Sequence, residues 1–392
     1  MNAPASNRDY AQPIIAGVLA AIVGYSSTFT LLLAALTAAG ASPQQAGSGL
    51  FSTCIAIGIL NIVVAWRVRT PTSFAWSTPG LAFLLTVGEP AGGFPAVIGA
   101  FLVCAALIAL TGFIRPLAQL VAAIPAAIAN AMLAGMLLVL CLAPINALAE
   151  MPWQTLPILA AWALGLRFAR RYAVPIAVAV TGLVLATTTH LPPGTFDGAW
   201  PSLELVMPSF TLDAIIRIAL PLYVVTMASQ NLPGVAVMKV NGYDLRPSPI
   251  FILTGFSSAV AAFFGGVTNN LAAITAAICA GPEAHPDPNR RWPAPVAAGT
   301  TYMALGLLAS LAAAFIAASP PLLIQAVAGL ALLASLASSL AGALANEDSR
   351  LPAILTFVTT ASGITIVGVG APFWGLVGGI VMLLILRQQK KT

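Results

Sequence analysis

Runs of about 18 or more apolar residues recur along the whole chain, and each can cross about 30 Å of hydrocarbon. Hydrocarbon offers no partner to a backbone N–H or C=O, so such runs must be helices, with all their hydrogen bonds internal. Charged residues are only 7% of 392 and the mean hydropathy is +0.96, whereas soluble domains carry about 25% charge. The expected fold class is therefore an all-α polytopic membrane protein, embedded in a lipid bilayer. The run at 13–39 does not read as a cleavable leader: it is too long, has only Arg8 and Asp9 on its flank, and precedes many further spans.

Breaks between the runs give fourteen spans. Those in the first half are 13–39, 44–66, 73–88, 92–112, 125–149, 154–168 and 172–190; those in the second are 212–238, 248–264, 267–281, 293–318, 320–345, 351–367 and 370–387. With the N-terminus in the cytoplasm, alternation places fifteen of the 16 basic residues on that side, from Arg8, Arg67, Arg69 and Arg115 through Arg170, Arg171 and Arg350 to Lys390 and Lys391. That is the positive-inside pattern, and it also puts the C-terminus in the cytoplasm. The exception, Arg217, lies a turn inside the eighth span, where it can snorkel to the outer interface or meet Asp213 at i−4. Outer loops hold Glu89, Glu150, Asp197 and Glu204. The net charge of +5 thus reflects topology and gives no reason to expect nucleic acid.

Seven spans on each side of the 191–211 loop is an odd number, so the second half enters the membrane in the opposite sense. The expected architecture is a 7+7 inverted repeat, as in many secondary transporters. Its two short spans, third and tenth, fall at equivalent positions, which points to the binding site. In the third, 73–78 reads as extended, Ser77 or Thr78 as a cap and Pro79-Gly80 as the start of a helix over 79–88. In the tenth, Val267 to Asn269 (through Thr268) reads as extended, Asn269 or Asn270 as the cap and 271–280 as the helix. Two half-helix starts then face each other at mid-membrane and offer N–H donors to an anion. The plainer alternative is a kink in one continuous helix.

Alternation along the extended segment puts Phe74 and Trp76 on one face, a wall suited to a planar aromatic acid or simply to a neighbouring helix. The eighth span adds Thr226 and Gln230 on one helical face with Ser229 and Asn231 beside it, and the first adds Tyr25 and Phe29. Polar groups at this depth are costly and mark an interior face. Lone amides at Asn61 and Asn130 read as interhelical hydrogen bonds. The four cysteines lie in apolar runs without a CxxC pair and read as small buried hydrophobes. His190 and His285 lack ligand-spaced partners, so neither a metal nor a cofactor is expected. No Asp, Glu or His falls in the interior of a span; His190 and Asp213 stand at span ends.

The stretches TMASQNLPGVAVMKVNGY (226–243), NLAAITAAICAGPEAH (270–285) and SFAWSTPGLAFLL (73–85) resemble the BenE-type benzoate transporters, and the resemblance runs from about residue 10 to 387. More distantly, the plan is similar to the uracil permease and nucleobase/ascorbate transporter fold. The resemblance implies a core domain of spans 1–4 and 8–11 (1–122, 212–291 and 292–318). It implies a gate domain of spans 5–7 and 12–14 (123–190 and 319–392), with 191–211 as an outer loop. It further implies substrate between spans 3 and 10, benzoate as that substrate, protons as coupling ion and a bacterial inner membrane location; fold analogy allows a homodimer through the gate domain. Glutamates of the nucleobase branch fall near Ser229 and near Ile274 or Thr275 here, a loss that an anionic substrate explains. A channel-like facilitator for small anions, or a carrier for another planar substrate such as a nucleobase, stays open. A membrane-embedded enzyme does not, because no nucleophile–base pair, metal cluster or paired carboxylate lies at membrane depth.

Overall fold

Capping chemistry and prolines decide where these apolar runs begin, bend and stop. The computed structural model describes residues 10–114, 116, 119, 124–188, 200–282, 284–317, 319–366 and 369–389. Arg8, Arg115, His190, Asp197, Lys390, Lys391 and the first nine residues of the 191–211 loop lie outside that set.

Helix α1 is Ala11–Ala38 and α2 is Pro43–Val68. A capping box starts α2: Ser42 Oγ accepts from Gln45 N–H (3.1 Å), and Gln45 Oε1 accepts from Ser42 N–H (3.0 Å). Strand β1 (Phe74–Trp76) and helix α3 (Thr78–Val87) make up the short third segment, followed by α4 (Gly93–Phe113). Then come α5 (Ala126–Cys141), α6 (Ala143–Glu150), α7 (Pro152–Phe168) and α8 (Ala173–Thr188). Beyond the loop stand α9 (Leu212–Val240) and α10 (Pro247–Ala262), then β2 (Asn269–Leu271) with α11 (Ala273–Ala280). The chain continues through α12 (Pro293–Gly306), α13 (Ala309–Ala317), α14 (Pro321–Leu344) and α15 (Glu347–Ala361), and closes with α16 (Ala371–Gln389).

Among the described residues six helices are long and apolar enough to cross a membrane, or seven if one bent pair counts as a span. That pair corrects the expectation of one straight span over 293–318, since Pro288–Gly306 and Ala309–Ala317 meet at 52°. Helices α1 and α2 both lie along α12, α4 lies along α10, α5 along α14 and α15, and α15 along α16. Small residues permit the closest approaches. A Cβ on Gly17 of α1 would sit 1.9 Å from the Ala294 carbonyl oxygen of α12, so those backbones touch.

Helix α9 is not the plain helix that its spacing suggests. It widens to π turns at Ile215–Ala219 and Met227–Asn231. Each ends just short of a proline, Pro221 and Pro233. A proline cannot donate to the carbonyl four residues back, Arg217 and Ser229 here, and its ring crowds that carbonyl; the wider turn relieves both problems. Such π turns are rare and are frequent at functional sites.

The two extended segments pair with each other, which the sequence reading did not anticipate. Strand β1 runs antiparallel to β2 with Phe74 opposite Leu271, Ala75 opposite Asn270 and Trp76 opposite Asn269. The tenth segment is corrected accordingly: Asn269 and Asn270 are strand residues rather than caps, and the helix begins at Ala273 rather than at 271. The pairing satisfies backbone groups that would otherwise be orphaned away from water.

Candidate functional site

Side chains from three helices hold the short sheet. On its β1 edge Asn61 of α2 mimics a strand: its Nδ2 donates to Phe74 C=O (2.9 Å) and its Oδ1 accepts from Phe74 N–H (2.9 Å). On its β2 edge Asn231, in the second π turn, accepts from Leu271 N–H (2.9 Å). Ser258 of α10 accepts from Asn269 N–H (2.8 Å), and Thr53 of α2 accepts from Val267 N–H (3.1 Å). In the amide orientation that its neighbours satisfy, Asn270 accepts from Ser77 N–H (2.8 Å) and donates to Leu271 C=O (3.1 Å). Ser77 N–H also reaches Thr268 C=O (3.1 Å). Asn269 donates to Ser257 Oγ (2.9 Å).

The two helix starts beside the sheet differ. At α3, Ser77 Oγ caps Gly80 N–H (3.2 Å) and also accepts from Thr226 Oγ1 (2.9 Å). Pro79 has no N–H to offer. At α11 the N-cap is Ala272, in extended conformation (φ −89°, ψ 123°) and without any side-chain cap. The first N–H groups of a helix have no intrahelical partner, so α11 is the open donor end and α3 the closed one.

A cavity of about 1060 Å³ opens onto that end. Ala75 and Trp76 of β1, Thr78 and Pro79 of α3, Ser229 and Gln230 of α9, and Ala272 and Thr275 at α11 line its depth. Ser335, Ser338 and Ser339 of α14 and Asn130 of α5 face them, while Gln12, Ile15, Arg170 and Tyr172 line the mouth. Among the described lining residues none is acidic, and Ser229 Oγ has no hydrogen-bond partner. Trp76 is fixed in place: its Nε1–H donates to Thr28 Oγ1 (2.8 Å), and its ring meets Tyr25 and Tyr302 edge-on at 6.0 and 5.7 Å.

Four of the residues picked from the sequence thus line the cavity: Trp76, Thr78, Ser229 and Gln230. The others stand one layer behind. Tyr25 and Phe29 stack on each other at 5.1 Å behind Trp76. Phe74 is fully buried, Ser77, Asn231 and Asn270 spend polar groups on the sheet and the α3 cap, Thr268 gives its carbonyl to Ser77, Asn269 donates to Ser257 with its Oδ1 unpartnered among the described residues, and Thr226 bonds Ser77. Gly80 packs so closely on α9 that a Cβ would meet Leu222 at 2.6 Å. The sequence reading passed over Ala272 and Tyr302 and met Thr275 only as a position matched to a nucleobase-branch glutamate. An alanine cap carries no signal, and a threonine or tyrosine inside an apolar helix reads as packing. Tyr223, earlier in α9, bonds Thr111 of α4 (2.6 Å). Arg217 meets Asp213 at 3.4 Å, as its spacing allows.

The chain resembles solved anion transporters in fold. The transmembrane domain of a cyanobacterium bicarbonate transporter, BicA, superimposes with a TM-score of 0.64 at 16% identity, covering 96% of this chain and 98% of that one. Murine Slc26a9, an anion transporter solved in the inward-facing state, gives 0.63 at 13% identity over 98% of this chain and 70% of that one. In sequence, the inner membrane protein YdcO of Escherichia coli (strain K12) is 40% identical over 383 residues, 95% of each chain. A benzoate membrane transport protein of Acinetobacter baylyi (strain ATCC 33305 / BD413 / ADP1) is 32% identical over 379 residues, 96% of each. The Acinetobacter relative and both solved structures are transporters by name. The family described as "Benzoate membrane transport protein", BenE, matches residues 9–385, and the chain belongs to it.

Proposed function

We propose that the protein is a secondary carrier that imports an aromatic carboxylate, benzoate foremost, by alternating access. One observation carries this reading: the uncapped start of α11 opens beside Trp76, Thr78 and Gln230 into a cavity with no acid among its described lining residues. A helix start offers N–H donors and a partial positive charge, a natural seat for a carboxylate. Trp76, held by Thr28 and two tyrosine edges, gives the planar ring a rigid wall. The name of the Acinetobacter relative supports benzoate.

The cavity mouth lies where α1 begins and where Arg170 is exposed. The charge partition puts that end, and both termini, in the cytoplasm, so this conformation is the inward-open one. Helices α1–α4 and α9–α13 form a core that moves against a gate of α5–α8 and α14–α16; the packing of α4 on α10, α12 on α1 and α2, and α14 on α5 supports the grouping. An inverted repeat of seven plus seven spans, shared distantly with nucleobase permeases, supplies two mirror-related end states. Proton symport rests on the family resemblance and a homodimer through the gate on fold analogy.

Labelled benzoate should show saturable counterflow in proteoliposomes, which a channel cannot give. Gln230→Leu should weaken its half-saturation by about 1–3 kcal/mol, the effect of losing a hydrogen bond to a desolvated carboxylate. Absence of counterflow from well-folded protein rejects the carrier reading. An unchanged half-saturation in the mutant removes Gln230 from the site.

A further inference from the structure

A second cavity, of about 370 Å³, lies along the same helix interface as the first, towards its opposite end. Three helices show the relation. Helix α3 lines the first cavity with Thr78 and Pro79 and the second with its last turn, Leu85 to Val87. Helix α5 gives Asn130 to the first and Val139 and Leu140 to the second; α14 gives Ser335 to the first and Gln325 to the second. The layer between them is apolar and packed: Leu81 and Leu84 of α3 and Ala328 of α14 are buried.

The polar side chains of this second cavity are Arg217, Gln325, Thr360 and Thr86, the last with its hydroxyl spent on Phe83 C=O (2.7 Å). Arg217 sits in the first π turn of α9, as Ser229 and Gln230 sit in the second. Each cavity therefore receives one of the two rare widened turns of the same helix, each made by a proline just beyond it. The Arg217 guanidinium has five N–H donors, and its contact with Asp213 is long, at 3.4 Å, and half-exposed, which makes it weak. Thr360 is 4% exposed, and its Oγ1 has no hydrogen-bond partner among the described residues. That hydroxyl is shut in against Gly375 of α16, which leaves Arg217 and Gln325 as the polar side chains that can meet a ligand, and the cavity volume is within the range of small-molecule sites.

We propose that this cavity is a second carboxylate site, a vestibule in which Arg217, with Gln325, holds the aromatic acid on the far side of the barrier from the α11 seat. It rests on the reading that the chain carries an aromatic carboxylate. The vestibule differs from the central seat in kind, because a side-chain cation holds the anion there and backbone donors hold it at α11. Passage then consists of a transfer between the two seats when the apolar layer parts.

The test uses full-length protein with Cys141→Ala, since Cys141 follows Leu140 of the cavity lining, and all four cysteines are buried. A single reporter, Val139→Cys in the vestibule or Ser335→Cys in the central cavity, is labelled with a neutral maleimide, with and without benzoate. Benzoate should slow labelling several-fold at both positions. Gln230→Leu should remove protection at Ser335→Cys while leaving it at Val139→Cys. Arg217→Gln should do the reverse, and Arg217→Lys should keep part of the vestibule protection; surviving protection at Ser335→Cys certifies that Arg217→Gln is folded. Protection at Val139→Cys that vanishes with Gln230→Leu, or persists in Arg217→Gln, overturns the vestibule. Protection at Ser335→Cys alone overturns the vestibule and leaves the central seat standing. Protection at neither position overturns both.

Discussion

Replacing Ala272 with aspartate is expected to abolish benzoate uptake while the protein stays folded. Ala272 already has the extended backbone of an N-cap residue and lacks only a side chain to cap with. An aspartate there accepts the free N–H groups of α11 and stabilises that helix by about 0.5–2 kcal/mol. The same carboxylate occupies the seat proposed for the substrate. Two carboxylates about 4 Å apart repel by about 4 kcal/mol at an effective dielectric constant of about 20, which is on the order of a thousandfold in affinity. Ala272→Ser caps without charge and should lose much less. Removing the distant charge with Arg217→Gln should also cost less than Ala272→Asp, because the α11 seat needs no cationic side chain. Uptake at matched expression, with thermal unfolding as the control for folding, decides the matter. Normal uptake by Ala272→Asp would remove the anion seat from the start of α11.

The second large effect is on stability. Asn61 is fully buried, and it alone holds both the N–H and the C=O of Phe74 at the open edge of β1. Asn61→Leu keeps the volume and leaves both groups orphaned, at about 1–3 kcal/mol each. The detergent-solubilised protein should unfold well below the wild type, and its uptake should fall with the loss of the strand. Asn61→Asp keeps the acceptor but loses the donor and brings an unpaired buried charge, so it should not rescue. An unfolding midpoint equal to wild type in Asn61→Leu would mean that the edge of β1 finds other partners.

Much of the path to this site can be read from residue order. Segments 73–88 and 267–281 are too short for plain spans, and both contain cap formers or glycines, so a break at each is written in the sequence. Ser77 caps α3 because a short hydroxyl precedes Pro79. The pairing of β1 with β2 could not be read, since strand partners about 195 residues apart leave no local signal. That pairing also explains the miscast asparagines. Asn270 looks like a cap because it precedes an apolar run, yet its amide is used by Ser77 and Leu271 and the helix starts later. The π turns were half legible: Pro221 and Pro233 announce broken hydrogen bonds, but whether a helix kinks or widens depends on what packs beside it. Helical spacing therefore grouped Thr226 with Gln230, whereas the widened turn sends Thr226 to Ser77 and leaves Gln230 in the cavity. Asn61 was read as an interhelical hydrogen bond; it was the right chemistry with a strand as partner.

The most direct measurement is a structure of the protein with bound 4-bromobenzoate, in which the heavy halogen fixes the direction of the ring. The account predicts a carboxylate within hydrogen-bond distance of the backbone N–H groups that open α11, close to Thr78 and Gln230, with the ring lying against Trp76. A carboxylate in the central cavity held by an arginine side chain, or seated away from the start of α11, would contradict it.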